Sequence, residues 1–237
     1  HHGLPNGRIT RIDDDRVDRT AVGFSMPNLP RRALGAMPLL LLARPAPAQA
    51  RPRVGDVEAV TGRAMAHFES TPPRPLAPAS AVLLDDMLAT DPDARLACRL
   101  ATGIEIRLGG NATLRVDRLA LGGPRRGIAL QSLSGPLVFD RPAPAEASRA
   151  ALPVALDLPW ARIAVRGTRF FAGPLDDVFA VFCARGAIGV ERPGAWAVRL
   201  GPGEGVDVPR DSAAAAAQPP VREWGQARIA RAFALVG

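Results

Sequence analysis

Short runs of alternating apolar and polar residues, punctuated by glycine or proline, dominate residues 160–208. Ile163 and Val165, for example, fall on the same side of the first run. Alternation with a period of two places every second side chain on the buried face of a β-strand. Four glycines are expected where these strands must turn, since glycine reaches positive φ without steric cost: Gly167, Gly186, Gly201 and Gly203. The pattern predicts a β-meander.

Further runs of this kind precede the meander, and turn signals separate them. They span residues 54–62, 64–68, 82–90, 94–100, 104–108, 113–116, 128–133 and 137–139. The Ala-Thr-Gly sequence at 101–103 joins two of them as a hairpin. Four prolines make residues 71–79 a loop without ladder hydrogen bonds. Many short strands, with turn signals about every 8–12 residues, predict an all-β fold: an antiparallel β-sandwich or a flattened β-roll.

A short C-terminal helix is the one predicted exception to the all-β pattern. Ile229, Phe233 and Val236 have the i, i+4, i+7 spacing of one helical face, which predicts a helix at residues 226–236. The alanine- and proline-rich residues 211–220 precede it as a linker, and residues 141–151 form another long loop. We therefore expect an all-β domain at residues 51–210, followed by a linker and helix at 211–237.

The first 50 residues have the composition of a tail followed by an export signal. Residues 1–25 are polar and lack apolar periodicity, which predicts a disordered tail. Residues 26–50 then contain Arg31-Arg32, an apolar run of about 11 residues and the small-residue site Ala48-Gln49-Ala50, as in a signal peptide. That run is too short to span a bilayer, which needs roughly 20 residues. The paired arginines resemble a twin-arginine signal. We expect export to the periplasm or beyond, with no stable membrane span once the leader is removed; an uncleaved N-terminal anchor is the alternative.

The charge balance does not by itself indicate a nucleic-acid partner. The formal net charge is +7, and all 30 basic residues are arginine. Several of these arginines are interspersed with apolar residues, as on the solvated face of a sheet: Arg95, Arg99, Arg107, Arg115 and Arg118. Nucleic-acid-binding proteins instead concentrate basic residues into a patch, often with stacking aromatics. We predict no nucleic-acid partner.

The residues that usually carry catalysis are few. His67 is the only histidine after residue 50, whereas a zinc site or a Ser-His-Asp triad needs a histidine among several partners. The only two cysteines, Cys98 and Cys183, fit either a disulfide in an oxidising compartment or two small buried apolar positions. Both alternatives stay open. We predict no catalytic, cofactor or metal site, and no enzyme activity.

Other polar and glycine-rich pairs are interpreted as local structure. Asp85-Asp86 and Asp176-Asp177 could act as paired carboxylates in acid–base catalysis or calcium binding, but adjacent strand residues point to opposite faces. We expect both pairs in turns, where such residues are commonly solvated. Residues 201–205 lack the lysine and following helix of a phosphate loop, so they predict a turn. Gly167-Thr168 predicts a kink in a strand, where glycine allows a close backbone approach and the hydroxyl bonds a local backbone group.

The order of these motifs resembles the FecR domain, the periplasmic module of iron-dicitrate sensors and anti-sigma regulators. The matching pieces lie at 54–62, 88–90, 94–108, 111–114, 133–135, 163–170, 185–190 and 200–205. The most specific is the Val-x-Gly-Thr-x-Phe motif that ends at Phe170. FecR regulators also carry an anti-sigma helical segment, a membrane-spanning helix and a C-terminal module, none of which is recognisable here. The resemblance therefore implies an exported, free-standing FecR-like domain.

Two functions are compatible with these expectations. The first is a non-enzymatic binding or regulatory module in envelope signalling, which contacts a protein partner and can add an edge strand to another sheet. The alternative is a carbohydrate- or peptidoglycan-associated module, in which an exposed Trp160, Trp196 or Trp224 stacks on a sugar ring. A hydrolase is disfavoured by the shortage of histidines.

Overall fold

The computed structural model describes residues 51–120, 123–124, 126–142, 152–210 and 217–237. The predicted tail, the predicted leader and the greater part of the 141–151 and 211–220 loops lie outside the described residues. The described part contains strands and a single helix, α1 (Gln226–Ala234). The strands are β1 (Arg53–Thr61), β2 (Ala64–His67), β3 (Arg74–Pro75), β4 (Ala81–Leu83), β5 (Met87–Thr90), β6 (Arg95–Leu100), β7 (Glu105–Leu108), β8 (Thr113–Ala120), β9 (Gly127–Ser134), β10 (Leu137–Asp140), β11 (Val154–Asp157), β12 (Arg162–Leu175), β13 (Val178–Arg192), β14 (Trp196–Leu200), β15 (Glu204–Val208) and β16 (Arg222–Glu223).

All of these strands belong to one curled sheet, which confirms the all-β class. Its main path runs β3-β2-β5-β8-β9-β11-β12-β10-β7-β6-β1-β4. β13 pairs with β12 and also with β14 and β15, and β16 extends the sheet beyond β15. The sheet is mixed, since β11 runs parallel to β9 whereas the other pairs are antiparallel. The purely antiparallel arrangement expected from the sequence therefore fails at this pair, because the chain leaves through β10 before β11 returns beside β9.

The principal core lies inside the curl. Inward-facing side chains from most strands meet there, and the fully buried ones include Phe139, Phe170, Ile106 and Leu130. Phe139 stacks on Phe170 with ring centroids 5.1 Å apart. Burial of each such side chain contributes roughly 1.5–3 kcal/mol, so the alternating pattern that predicted the strands also accounts for much of the stability.

A second apolar cluster lies on the outer face of the sheet, where α1 packs. Val138, Phe171 and Phe182 point away from the principal core and contact the segment that carries Trp224 and Val236. β13 is consequently buried on both faces near its start. Strands of that kind have near-continuous apolar sequences, as residues 178–184 do. The predicted helix is confirmed, with the face of Ile229, Phe233 and Val236 directed at this cluster.

Two glycines predicted to turn the chain instead lie inside long strands. Gly167 (φ 57°) and Gly186 (φ 83°) sit where the register of β12 and β13 shifts, between Arg166 and Phe170. A Cβ on Gly186 would collide with the Gly167 carbonyl oxygen and with Thr168. The predicted kink at Gly167-Thr168 is therefore present, and the close approach is made through Gly186. The Thr168 hydroxyl is buried and has no hydrogen-bond partner in the described part of the chain, so its expected backbone bond is wrong.

Three short strands were not predicted. β3 lies within the proline-rich loop, where Arg74 and Pro75 pair with β2 at the end of the sheet; proline is compatible with such an edge position. β11 is only 4 residues long, and β16 only 2. β3 and β16 are too short to show any alternation, whereas β11 follows Pro153 directly after the long predicted loop at 141–151 and was not separated from it.

Candidate functional site

Two turns and one further segment meet at one end of the β11–β12–β13 part of the sheet and line an open groove of about 480 Å³. They are the β11–β12 turn, the β13–β14 turn and the segment that follows β15. We call this the Trp160 groove and define it by six of its lining residues: Asp157, Trp160, Arg162, Arg192, Pro193 and Arg210.

The β11–β12 turn holds Trp160 at the groove. The Leu158 N–H donates to the Ala161 carbonyl at 2.8 Å and closes the turn, and both of these side chains are buried. The Trp160 ring, between them, is half-buried and meets Phe179 edge-on at 5.3 Å. One part of the indole is therefore anchored against the core while the rest faces the groove.

Arg192 ties the three segments together. Its Nε donates to the Trp160 carbonyl at 2.9 Å, and its Nη2 donates to the Pro209 carbonyl at 2.5 Å. Both acceptors are neutral carbonyl groups. The two hydrogen bonds of Arg192 thus fix the geometry of the groove, and they leave its positive charge without a neutralising partner.

The groove carries more positive than negative charge. Arg210 is exposed, and its guanidinium carbon lies 5.3 Å from the centre of the Trp160 ring. Arg162 pairs with Asp157 across the strands at 2.5 Å, and this hydrogen bond raises the pKa of Arg162. Neither Arg192 nor Arg210 forms an ion pair with any residue that the structure describes. Three arginines and one aspartate therefore line the groove, and Glu191, opposite Arg162 in the β12–β13 pairing, is a second acid near Arg162.

His67 and the cysteines do not meet in a reactive cluster. His67 ends β2 half-buried, opposite Met87. Cys98 and Cys183 are buried free thiols in the principal core, which favours the apolar alternative over the disulfide. Burial raises the pKa of Cys98 to about 12 and also raises that of Cys183. Across the described ranges, no three His, Cys, Asp or Glu side chains come close enough to hold a metal ion.

Asp86 corrects the expectation of a solvated acid pair. Asp85 is exposed in the turn after β4, but the Asp86 side chain is only 1% exposed. Its carboxylate contacts Arg51 Nη2 at 2.8 Å and Arg74 Nη2 at 2.7 Å, and it accepts the Leu83 N–H at 2.9 Å. A buried carboxylate needs such partners to offset its desolvation. Asp86 is accordingly a structural ion-pair centre.

Asp176 and Asp177 form the predicted turn. Both have positive φ, 51° and 64°, as in the two central residues of a tight hairpin, here between β12 and β13. Both side chains are exposed. Asp176 also accepts from Arg231 of α1 at 2.8 Å, and this hydrogen bond lowers the pKa of Asp176. The turn therefore also helps to hold the helix.

Two of the three tryptophans considered for sugar stacking are buried. Trp196 is 6% exposed in the principal core. Trp224 is 7% exposed and stacks on Phe182 at 4.8 Å. The 201–205 turn is confirmed, and Gly205 has a packing role there because a Cβ would collide with the Trp224 indole. Only Trp160 presents part of its ring at the surface.

Trp160 was a predicted candidate for ligand contact, whereas the arginines beside it were not predicted. Arg192 precedes Pro193 at the end of β13, and Arg210 follows Pro209 after β15. An arginine next to a proline in a turn does not belong to the alternating pattern of a solvated strand face. This position was the one sequence signal that could have indicated a role for these arginines outside the sheet surface. Their meeting with Trp160 depends on strand pairing, which no local pattern reports.

Comparisons with known proteins place few constraints on this chain. No family model matches it, and no curated protein does, so membership of the FecR family stays a prediction. Two crystal structures, each described as a "putative anti-sigma factor" from Parabacteroides distasonis ATCC 8503, are similar at 15% and 16% identity with TM-scores of 0.48 and 0.46. Each match covers 61% of this chain and 62% of the other.

Within the described residues, no helix is both long and apolar enough to cross a membrane.

Proposed function

We propose that this chain is a non-enzymatic, exported binding module that acts in cell-envelope signalling through contact with a protein partner. The observation that carries the proposal is the Trp160 groove. It combines a partly exposed indole with two arginines that have no carboxylate partner among the described residues. Binding to such a surface is favourable when the ligand supplies the missing negative charge.

A binding role also fits the way in which the other charged groups are used. Asp86, Asp140 and Asp176 each contact two arginines. Those pairs join strands, turns and the helix, so their function is structural. Arg192 and Arg210 of the groove differ from the arginines in those pairs, because their contacts leave the positive charge available to a ligand.

The finer proposal is that the module is FecR-like and works in the periplasm. It rests on the order of the sequence motifs and on the leader-like residues 26–50. The glycan-binding alternative is weaker because Trp196 and Trp224 are buried and cannot stack on a sugar. Addition of an edge strand remains a second mode of contact, since β14 pairs only with β13 among the described strands.

The test is site-specific photocrosslinking in intact cells of the source organism, with the crosslinking amino acid at Ala195 beside the groove. The matched control carries it at Arg118, an exposed position on β8. We expect one defined protein adduct from position 195 that is recovered in the envelope fraction and absent from the control. Identification of the adduct by mass spectrometry then names the partner.

Absence of any protein adduct from either position, together with retention of the chain on purified cell wall, would replace this function with the glycan-binding alternative. An adduct from position 118 alone would leave a protein partner but move its site away from the groove. Fractionation of the same cells tests export independently of partner binding.

A further inference from the structure

We propose that the Trp160 groove binds an acidic peptide segment whose carboxylates pair with Arg192 and Arg210 and whose apolar residue lies against Trp160. This inference rests on the proposed function, because it gives the protein partner a specific chemistry. It also assigns a role to Asp157, which competes with the peptide for the third arginine of the groove.

The acidic character of the ligand follows from the donors that remain. Arg192 uses one Nε hydrogen and one Nη2 hydrogen on the Trp160 and Pro209 carbonyls. A guanidinium has five N–H donors, so three remain. Because the two carbonyl bonds hold the side chain in place, little conformational entropy is lost when a carboxylate takes the remaining donors.

Arg210 adds a second point of attachment. It is exposed and lies over the Trp160 ring at 5.3 Å, with no acidic partner in the described ranges. Stacking on the indole orients a guanidinium while its edge stays available to an acceptor. Two separate cations favour a ligand with more than one carboxylate over a single small anion.

The uncharged part of the groove favours a peptide over a sugar or a nucleic acid. Pro159 and Pro193 line it beside Trp160, so its neutral wall is mostly apolar. Sugars and bases bind tryptophan by stacking on an open ring face, whereas Arg210 at 5.3 Å and Phe179 at 5.3 Å both pack against this ring and reduce the area left for stacking. A volume of about 480 Å³ accommodates a few side chains of an extended segment.

Asp157 limits the affinity of the groove for an acidic peptide. It pairs with Arg162 at 2.5 Å, and both side chains are more than a third exposed. A peptide carboxylate that approaches Arg162 therefore meets a competing acid. Replacement of Asp157 by asparagine removes one negative charge beside Arg162 and leaves Glu191 as the remaining acid near it, so it should tighten the binding of an acidic peptide.

The test uses the full chain and a fluorescein-labelled peptide, Glu-Glu-Leu-Pro-Glu-Glu, in a fluorescence anisotropy titration at low salt. The matched probe Gln-Gln-Leu-Pro-Gln-Gln has the same length without the charge. The variants are Arg210→Gln, Arg192→Gln and Asp157→Asn, and the control is Arg118→Gln, which removes the same charge from an exposed position on β8 that does not line the groove. The melting temperature of each variant is measured first.

The expected result is that the glutamate peptide binds at least tenfold more tightly than the glutamine peptide. Arg210→Gln should weaken its binding about three- to fivefold, since the ion pair of an exposed side chain contributes on that scale. Asp157→Asn should tighten it about threefold, and Arg118→Gln should leave it unchanged. Arg192→Gln should weaken binding too, but this variant also loses the contacts that shape the groove, so Arg210→Gln and Asp157→Asn decide the matter if it unfolds.

If Arg210→Gln and Arg118→Gln weakened binding of the glutamate peptide equally, the net charge of the protein would explain the binding, and the inference would be overturned. Equal binding of the two peptides, or tighter binding of tetragalacturonate or a thymidine octanucleotide, would also overturn it. These failures are separable from failure of the proposed function. If the crosslinked partner is still captured by Arg210→Gln, the chain has a protein partner that does not use this groove; if wild type captures none, the proposed function itself fails.

Discussion

The Trp160 groove and the C-terminal cap are built from the same residue types but differ in what they leave exposed. We define the cap as Trp224 together with α1. In the cap, Trp224 is buried under Arg228, whose guanidinium carbon lies 4.1 Å from the ring centre. In the groove, Trp160 is half-buried under Arg210 at 5.3 Å. The pairing of tryptophan with arginine is therefore common to both regions.

The carboxylates account for the difference. Arg228 of the cap pairs with Asp207 at 2.5 Å, and Arg231 pairs with Asp176 at 2.8 Å. Among the described residues that line the groove, Asp157 is the one carboxylate, and it is already bound to Arg162. The arginines of the cap are thus paired with carboxylates, and Trp224 and Phe233 pack against Phe182, whereas the groove keeps charge for a ligand. Arginines paired with carboxylates hold the structure together, whereas Arg192 and Arg210 lack such partners among the described residues and meet at a partly exposed tryptophan.

The largest expected effect is the loss of stability on Trp224→Ala. Removal of a buried tryptophan costs about 3–5 kcal/mol, and here it also leaves Phe182 without its stacking partner at 4.8 Å. Trp160→Ala should cost only about 1 kcal/mol, because its ring is half-buried. Guanidinium unfolding curves give both free energies of unfolding. Similar values for the two variants would remove the distinction between a structural and a surface tryptophan.

The next effect concerns Asp86, the most buried of the paired aspartates. Asp86→Asn should destabilise the chain by about 2 kcal/mol, below the usual cost of breaking a buried pair because Arg51 and Arg74 are partly exposed. Asp157→Asn is the matched control on an exposed pair and should change stability by less than about 1 kcal/mol. Urea unfolding of both variants measures the difference. A larger loss from Asp157→Asn than from Asp86→Asn would contradict the structural role of Asp86.

The features predicted from the sequence are those set by local periodicity. Alternation predicts the strands because each inward side chain, such as Ile163 or Val165, belongs to the same buried face. The helical spacing of Ile229 and Phe233 predicts α1 in the same way. The continuous apolar run at 178–184 also indicates burial on both faces of the strand, which a prediction from alternation alone does not include.

The features that sequence reasoning missed depend on contacts between distant segments. Asp86 is buried because Arg51 and Arg74 reach it from other parts of the chain, whereas its neighbour Asp85 is as exposed as expected. The groove forms only when the pairing of β12, β13 and β15 brings Arg192 and Arg210 to Trp160. A residue's type and immediate neighbours do not specify which distant group it meets.

The smallest expected effect is a change in the acid limb of the stability curve on Asp176→Asn. The hydrogen bond from Arg231 lowers the pKa of Asp176 below its usual 3.8. A carboxyl whose pKa is lower in the folded state stabilises the fold above the unfolded pKa, and this contribution is lost as pH falls through the folded one. Asparagine tolerates the positive φ of this turn, so the variant should match wild type below the lowered pKa. It should be slightly less stable above about pH 4. Melting temperatures from pH 2 to 7 test this, with Asp177→Asn as the control. A difference that persisted unchanged to pH 2 would show that the turn conformation, and not the contact between Asp176 and the cap, carries the effect.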